Sequence, residues 1–273
     1  MGSIEQPKWW QRHRWAPLVL PLAVYMLAGQ LESKFVGLQQ PRETESAADL
    51  AADVTDKSDT SATVPVRAAL TGRRYAIAYS VRIGLTLVAV ALVFPYYRTV
   101  PFRLHALSLL FGVFGGAIWI LVCRLRWEQQ FSSAVGLASW MASGQRAAFD
   151  PLTTFEAAPA LLVAFLAVRF LGLVVLVPLI EEFFLRGFLM RFFRQADWWT
   201  IPWGDVTASS ALVATAYGVL SHPAEAIAAA IWFSLITLLY VRTRSIWDCV
   251  VAHAVTNLVL GVYVLVWRDW SLW

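Results

Sequence analysis

Seven times along this chain a run of apolar residues reaches, or nearly reaches, the roughly 20 residues that carry a helix across the hydrocarbon core of a bilayer. The runs fall at about residues 15–30, 75–95, 105–123, 157–180, 205–221, 223–241 and 246–267. Such repetition predicts an all-α, polytopic transmembrane helix bundle of about seven spans. The first and fifth runs are short and read equally as tilted or re-entrant elements, which widens the expected count to six to eight. Composition agrees: 59% of residues are hydrophobic and 15% charged, against about 45–50% and 25% in an ordinary soluble domain. Cys123 and Cys249 lie in or beside apolar runs, so they read as packing residues rather than a disulfide framework or a thiolate metal site. The net charge of +4 suits basic loops at a membrane surface, and no basic block is dense enough to predict nucleic acid as a partner.

Four segments follow from this pattern. Residues 1–38 hold an N-terminal segment with the first span, and no A-x-A-like cleavage site follows that run, so it reads as a retained span or signal anchor. Residues 39–74 form a polar, flexible insertion; its stretch 39–66 carries six acidic and two basic side chains and no apolar stripe. Residues 75–156 supply accessory transmembrane helices, and 157–273 the core that carries the chemistry. Placing Lys8, Arg12 and Arg14 in the cytoplasm puts Arg98, Arg103, Arg186, Arg191, Arg194, Arg242 and Arg244 on the same side and the acidic insertion outside. Arg73, Arg74, Arg124, Arg126 and Arg146 then fall on the opposite face, so the positive-inside rule supports this orientation only in part.

An ionisable side chain at membrane depth costs about 2.5–3.5 kcal/mol even on the lenient insertion scale, so each one needs a local reason. The stretch "VPLIEEFFLRGFLMRFF" holds three of them, Glu181, Glu182 and Arg186, ahead of Arg191 near its end. Glu182 and Arg186 are related by i, i+4 on a helix, with the acid N-terminal to the base, the favourable order for an ion pair. Glu181 is rotated about 100° from Glu182. Arg186 therefore neutralises one glutamate and leaves the other for proton chemistry; a purely structural ion-pair cluster is the alternative reading. Further along, His222 and Glu225 sit around the fifth and sixth spans, and His253 and Asn257 share one face of the last helix at i, i+4. Arg82 and Arg169 also lie in apolar surroundings. A lone histidine on an apolar helix is more often a packing residue, but three polar sets on three helices can meet inside a bundle. There is no H-E-x-x-H, no G-x-S-x-G elbow and no plausible mate for Asp205 or Asp248 in an aspartyl pair. What remains is carboxylate and imidazole, a set suited to activating a water for attack on a carbonyl.

The order E-E-x-x-x-R, then a histidine near an aromatic, then H-x-x-x-N, over roughly residues 157–262, resembles the CPBP family of intramembrane proteases, which includes the type II CAAX prenyl endopeptidases. The run "VRTRSIWDCVVAHAVTNL" is similar to the family's approach to its third motif. The Trp-rich flanks and "EEFFLRGFLMRFF" resemble the bacterial CAAX-protease-related proteins that accompany exosortase sorting systems. The resemblance implies that Glu181 activates the attacking water with help from His222, that Glu182 and Arg186 organise the site, and that His253 and Asn257 donate to the substrate oxyanion. It leaves two routes open: a metal-free one, and one in which Glu181, His222 and His253 hold a divalent metal such as zinc. One departure stands out: where the family usually has F-x-x-x-H, this chain has Gly218 four residues before His222 and Tyr217 five before.

The function expected is an intramembrane endopeptidase, in a bacterial inner membrane, that hydrolyses a bond of a membrane-associated C-terminal peptide. Its partners are the bilayer and that peptide. A non-catalytic scaffold or immunity-type protein that binds a partner's terminal segment is the alternative. A proton-coupled transporter ranks behind both, because inverted repeats and broken helices in both halves are not seen in the sequence.

Overall fold

A computed structural model of the chain describes residues 9–36, 63–144 and 148–272, and its regular elements within these are all helical. Six helices are long and apolar enough to cross a membrane. They are α1 (Ala16–Val36), α2 (Thr63–Tyr97), α3 (Leu107–Arg124), α5 (Pro159–Phe192), α7 (Ala226–Thr243) and α8 (Ile246–Trp267). Between them lie a short α4 (Trp127–Val135) and α6 (Ala208–Ser221). With 14 residues, α6 rises about 21 Å, less than the roughly 30 Å of hydrocarbon. Large apolar side chains such as Leu92, Leu110, Val163, Leu212 and Val266 project outward, as a face turned to lipid requires.

Three expected boundaries are corrected, each for a local reason. The first span ends at Val36, not near residue 30, because Glu32 does not stop it: Arg82 Nη1 lies 3.3 Å from its carboxylate. Residues 63–74 belong to α2 rather than to the polar insertion. Pro65 falls in the first helical turn, where a missing N–H is tolerated, and Gly72 lets the helix lie against Thr154 and Phe149, since a Cβ there would come within 2.8 Å of Thr154. The rest of the expected insertion, residues 39–62, lies outside the described residues. The fourth span runs on to Phe192 instead of ending at 180, which places the glutamate pair inside the helix and not at its end. The continuation "FFLRGFLMRFF" is apolar apart from Arg186 and Arg191, and the Arg186 charge is met by Glu182.

The helix that carries His253 and Asn257 is set by small residues. Gly112 and Gly116 form a G-x-x-x-G on α3, the spacing that lets two membrane helices approach closely. A Cβ on Gly112 would lie 2.6 Å from Val255 and 2.7 Å from the Ala252 carbonyl, and one on Gly116 3.0 Å from Val259. Thr256 Oγ1 donates across this seam to the Gly112 carbonyl at 2.8 Å and accepts from Trp232 Nε1 at 3.0 Å, so α3, α7 and α8 lock together one turn from His253. The start of α7 is capped in trans: the Glu128 carboxylate accepts the N–H groups of Ile227 and Ala228, both at 3.0 Å, satisfying donors a helix N-terminus leaves over. Asp248, fully buried in α8, accepts from the His105 backbone N–H at 2.7 Å and meets its ring Nδ1 at 2.6 Å. Its mate is therefore a histidine of the α2–α3 loop.

Candidate active site

The site begins with an irregularity in α5. Residues Leu171–Leu176 and Phe183–Leu189 wind as π-helix, a form that appears in short segments and frequently at functional sites. The α-helical segment Val177–Glu182 between them carries the glutamates. In the first π segment the Val177 N–H donates five residues back, to the Gly172 carbonyl. The donor that this register would give to the Leu173 carbonyl belongs to residue 178, which is proline and has no N–H. Asn257 Nδ2 donates to that carbonyl instead, at 2.8 Å. Asn257 thereby ties α8 to the bulged part of α5 with one of its two amide N–H groups and keeps the other. The second π segment is treated in a similar way: the Tyr240 hydroxyl donates to the Arg186 carbonyl at 3.5 Å and Arg191 Nη1 to the Gly187 carbonyl at 3.2 Å.

The two glutamates have different surroundings. Glu182 is fully buried, ion-paired with a fully buried Arg186 through Oε2 and in contact with His253 Nδ1 through Oε1 at 3.0 Å. The Glu182–Arg186 pair is close by distance but does not meet hydrogen-bond angles, so charge rather than alignment holds it. Arg186 also lies under the Phe233 ring, its Cζ 5.9 Å from the centroid. Glu181 keeps 13% of its side chain accessible and stands 4.0 Å from His253 Nε2. His253 is thus bracketed by both carboxylates, with the Trp232 ring edge-on at 4.6 Å.

Glu181, His222, His253 and Asn257 line one cavity of about 450 Å³ between the helices, while Glu182 and Arg186 stand behind its wall. Glu225, singled out with His222, is buried and also faces this cavity. The His222 Nδ1 lies 3.1 Å from the Gly218 carbonyl and 3.0 Å from the Ser221 hydroxyl. Its neighbours are Trp119 at 5.5 Å and Phe233 at 6.0 Å between ring centroids. Phe233 also accounts for the missing aromatic four residues before His222: a Cβ on Gly218 would run into the Phe233 ring, so an aromatic from α7 fills the space that a side chain at 218 would take. Sequence spacing could not find Phe233, which lies on another helix. The cavity further contains Tyr25, Glu32, Tyr75, Tyr79, Arg82 and Arg169; only the two arginines had a signal, as charges in apolar runs.

Among the described residues no three or more His, Cys, Asp or Glu side chains are gathered so as to hold a metal ion. Glu181, His222 and His253 share the cavity without forming a ligand set.

Residues 163–259 match the family described as type II CAAX prenyl endopeptidase Rce1-like. The resemblance read from the motifs is therefore shown over this segment, which contains Glu181, Glu182, Arg186, His222, His253 and Asn257; the match is to the family and does not reach the exosortase-associated subgroup. No curated protein and no solved structure matches the chain.

Proposed function

We propose, with the Rce1-like segment at residues 163–259 as premise, that this multi-pass membrane protein is an endopeptidase that hydrolyses a bond near the C-terminus of a membrane-associated peptide, in a bacterial inner membrane. The observation that carries the reading is the unequal use of the two glutamates. Glu182 is committed to Arg186 and to His253 Nδ1, whereas Glu181 alone opens to the cavity beside His253 Nε2. A water held between Glu181 and that nitrogen gives its proton to the Glu181 carboxylate as its oxygen attacks the substrate carbonyl carbon. The second N–H of Asn257 donates to the developing oxyanion. Glu181 then returns the proton to the departing amine nitrogen, which leaves the carboxylate ready for the next water. His253, rather than His222, is the imidazole that works with Glu181 in this scheme, and His222, beside Trp119 and Phe233, receives the leaving segment.

The test is mass spectrometry of apolar C-terminal peptides incubated in liposomes with the wild type and with Glu181→Gln. The expected result is a cut at one bond, lost by about 10²–10⁴-fold in the variant, and unchanged by chelator. A protein that binds such peptides but cuts none is the scaffold instead. A Glu181→Gln variant of normal rate removes the base assignment, and loss to chelator with recovery on Zn²⁺ makes the site a metal centre.

A further inference from the structure

A recess of about 840 Å³ lies at the end of the bundle where α3 and α8 finish, and the proposed chemistry makes no use of it. Three arginines line it from three segments: Arg124 at the last turn of α3, Arg126 in the link to α4, and Arg268 just past α8. All three are exposed. Arg124 and Arg126 are two of the arginines that the positive-inside rule left unaccounted for. The recess shares Glu225 and Leu272 with the cavity that holds Glu181 and His253, so the two spaces adjoin.

The acids of the recess are bonded elsewhere. Glu128 is buried and gives both oxygens to the first N–H groups of α7, where the helix dipole already compensates its charge. Asp269 accepts from Ser271 Oγ at 2.6 Å and from the Tyr263 hydroxyl at 3.5 Å, and Arg124 Nε donates to that same hydroxyl. Glu225 is buried in the wall shared with the cavity. Among the described residues no carboxylate forms an ion pair with Arg124, Arg126 or Arg268. Three guanidiniums thus stand against Asp269 and Glu225, and the balance is positive. The Arg124 Cζ also lies 5.4 Å from the ring centroids of Tyr263 and Trp267, which hold its side chain over an aromatic shelf.

The level of the recess is that of lipid headgroups. Arg124 and Trp267 are the last residues of two spans. Leu125, Trp127 and Phe131, in the link and in α4, are exposed together with Trp267, and such an apolar, tryptophan-bearing rim is what an element lying in the membrane interface presents. An arginine fork matches the oxygens of a phosphate in two bonds, and basic pockets between spans at the membrane surface take anionic headgroups. We infer that the recess of Arg124, Arg126 and Arg268 holds the phosphate of an anionic phospholipid, whose acyl chains stay in the bilayer beside Trp267. A headgroup without an amine is preferred, because a choline or ethanolamine cation would meet the same guanidiniums.

The site does not depend on the proteolytic reading, and binding alone tests it. The full-length protein, delipidated in a neutral detergent, is titrated in native mass spectrometry with phosphatidylglycerol and with phosphatidylcholine of the same acyl chains. One phosphatidylglycerol is expected to bind about tenfold or more tighter than phosphatidylcholine. Arg126→Gln and Arg268→Gln should each weaken it about fivefold, the worth of one arginine near a lipid surface, and the double variant about 25-fold. Both side chains are exposed, so these variants fold as the wild type does. Arg73→Gln, which removes an exposed arginine outside the recess, should leave binding unchanged. Equal affinity for the two lipids overturns the inference, as does phosphatidylglycerol binding that the Arg126 and Arg268 variants leave untouched. Displacement of the lipid by millimolar inorganic phosphate assigns the recess to the free ion and overturns it too.

Discussion

Glu182 and Arg186 have no surface of their own, so each offsets the cost of taking the other's charge out of water. Arg186→Ala leaves the Glu182 carboxylate with the His253 ring alone, and it should lower stability by about 3–5 kcal/mol, the usual cost of breaking a buried pair from one side. Glu182→Gln in the same background should recover part of that loss, which unfolding in detergent would measure. Asn257 makes a second prediction. Removing its amide by Asn257→Ala strands the Leu173 carbonyl and should cost about 1–3 kcal/mol. Pro178→Ala supplies an N–H in the position where proline has none, so in that background the cost of Asn257→Ala should shrink, with a coupling of about 0.5–3 kcal/mol between two side chains that need not touch. Equal costs in both backgrounds would detach Asn257 from the π register. The pairing of Glu182 with Arg186, and the shared face of His253 and Asn257, were legible in the sequence because both follow directly from the helical period. The partner of Asn257 was not, since it depends on a change of winding and a missing N–H one helix away.

Helices α6 and α7 meet where Gly218 yields its space to Phe233. The ring on α7 thus does for His222 what an aromatic on α6 itself would do, and the two arrangements exclude each other. Gly218→Phe alone should disrupt the packing of α6 on α7. Phe233→Ala alone should leave a void worth about 3–5 kcal/mol and free the His222 ring. The double variant, with the aromatic returned to α6, should regain stability and cleavage rate over either single change; a double variant no better than its parents would mean that Phe233 packs without steering His222. The aromatic ring beside His222 comes from another helix, where linear spacing has no sight. The contact of α3 with α8 has a counterpart in the sequence that was not read there: Gly112-x-x-x-Gly116 in an apolar run, a spacing that permits close approach. Span ends were the least legible feature. Glu32 and Arg186 look like stops until their partners, Arg82 and Glu182, are seen in place.

On the scale of the whole molecule, the apolar runs settled the class of fold, and six long helices with one short one fall within the expected six to eight. What they could not convey is depth. Arg191, Arg194, Trp198 and Trp199 gather at the end of α5 near Phe192, as side chains do where a helix leaves the membrane. Glu181 lies eleven residues before that end, a rise of about 16 Å, which is about half of a 30 Å hydrocarbon core. The hydrolysis proposed for this site would thereby be set where the bilayer holds almost none of the water it consumes. The cavity of about 450 Å³ has room for on the order of fifteen waters at about 30 Å³ each, and each turnover of the proposed reaction would draw one from them. Water then behaves as a second substrate with an activity of its own. A polymer too large to enter the cavity should slow cleavage in proportion to its osmotic pressure, while glycerol at matched viscosity should not, and the slope of log rate against osmotic pressure would count the waters that must be present when the bond is cut.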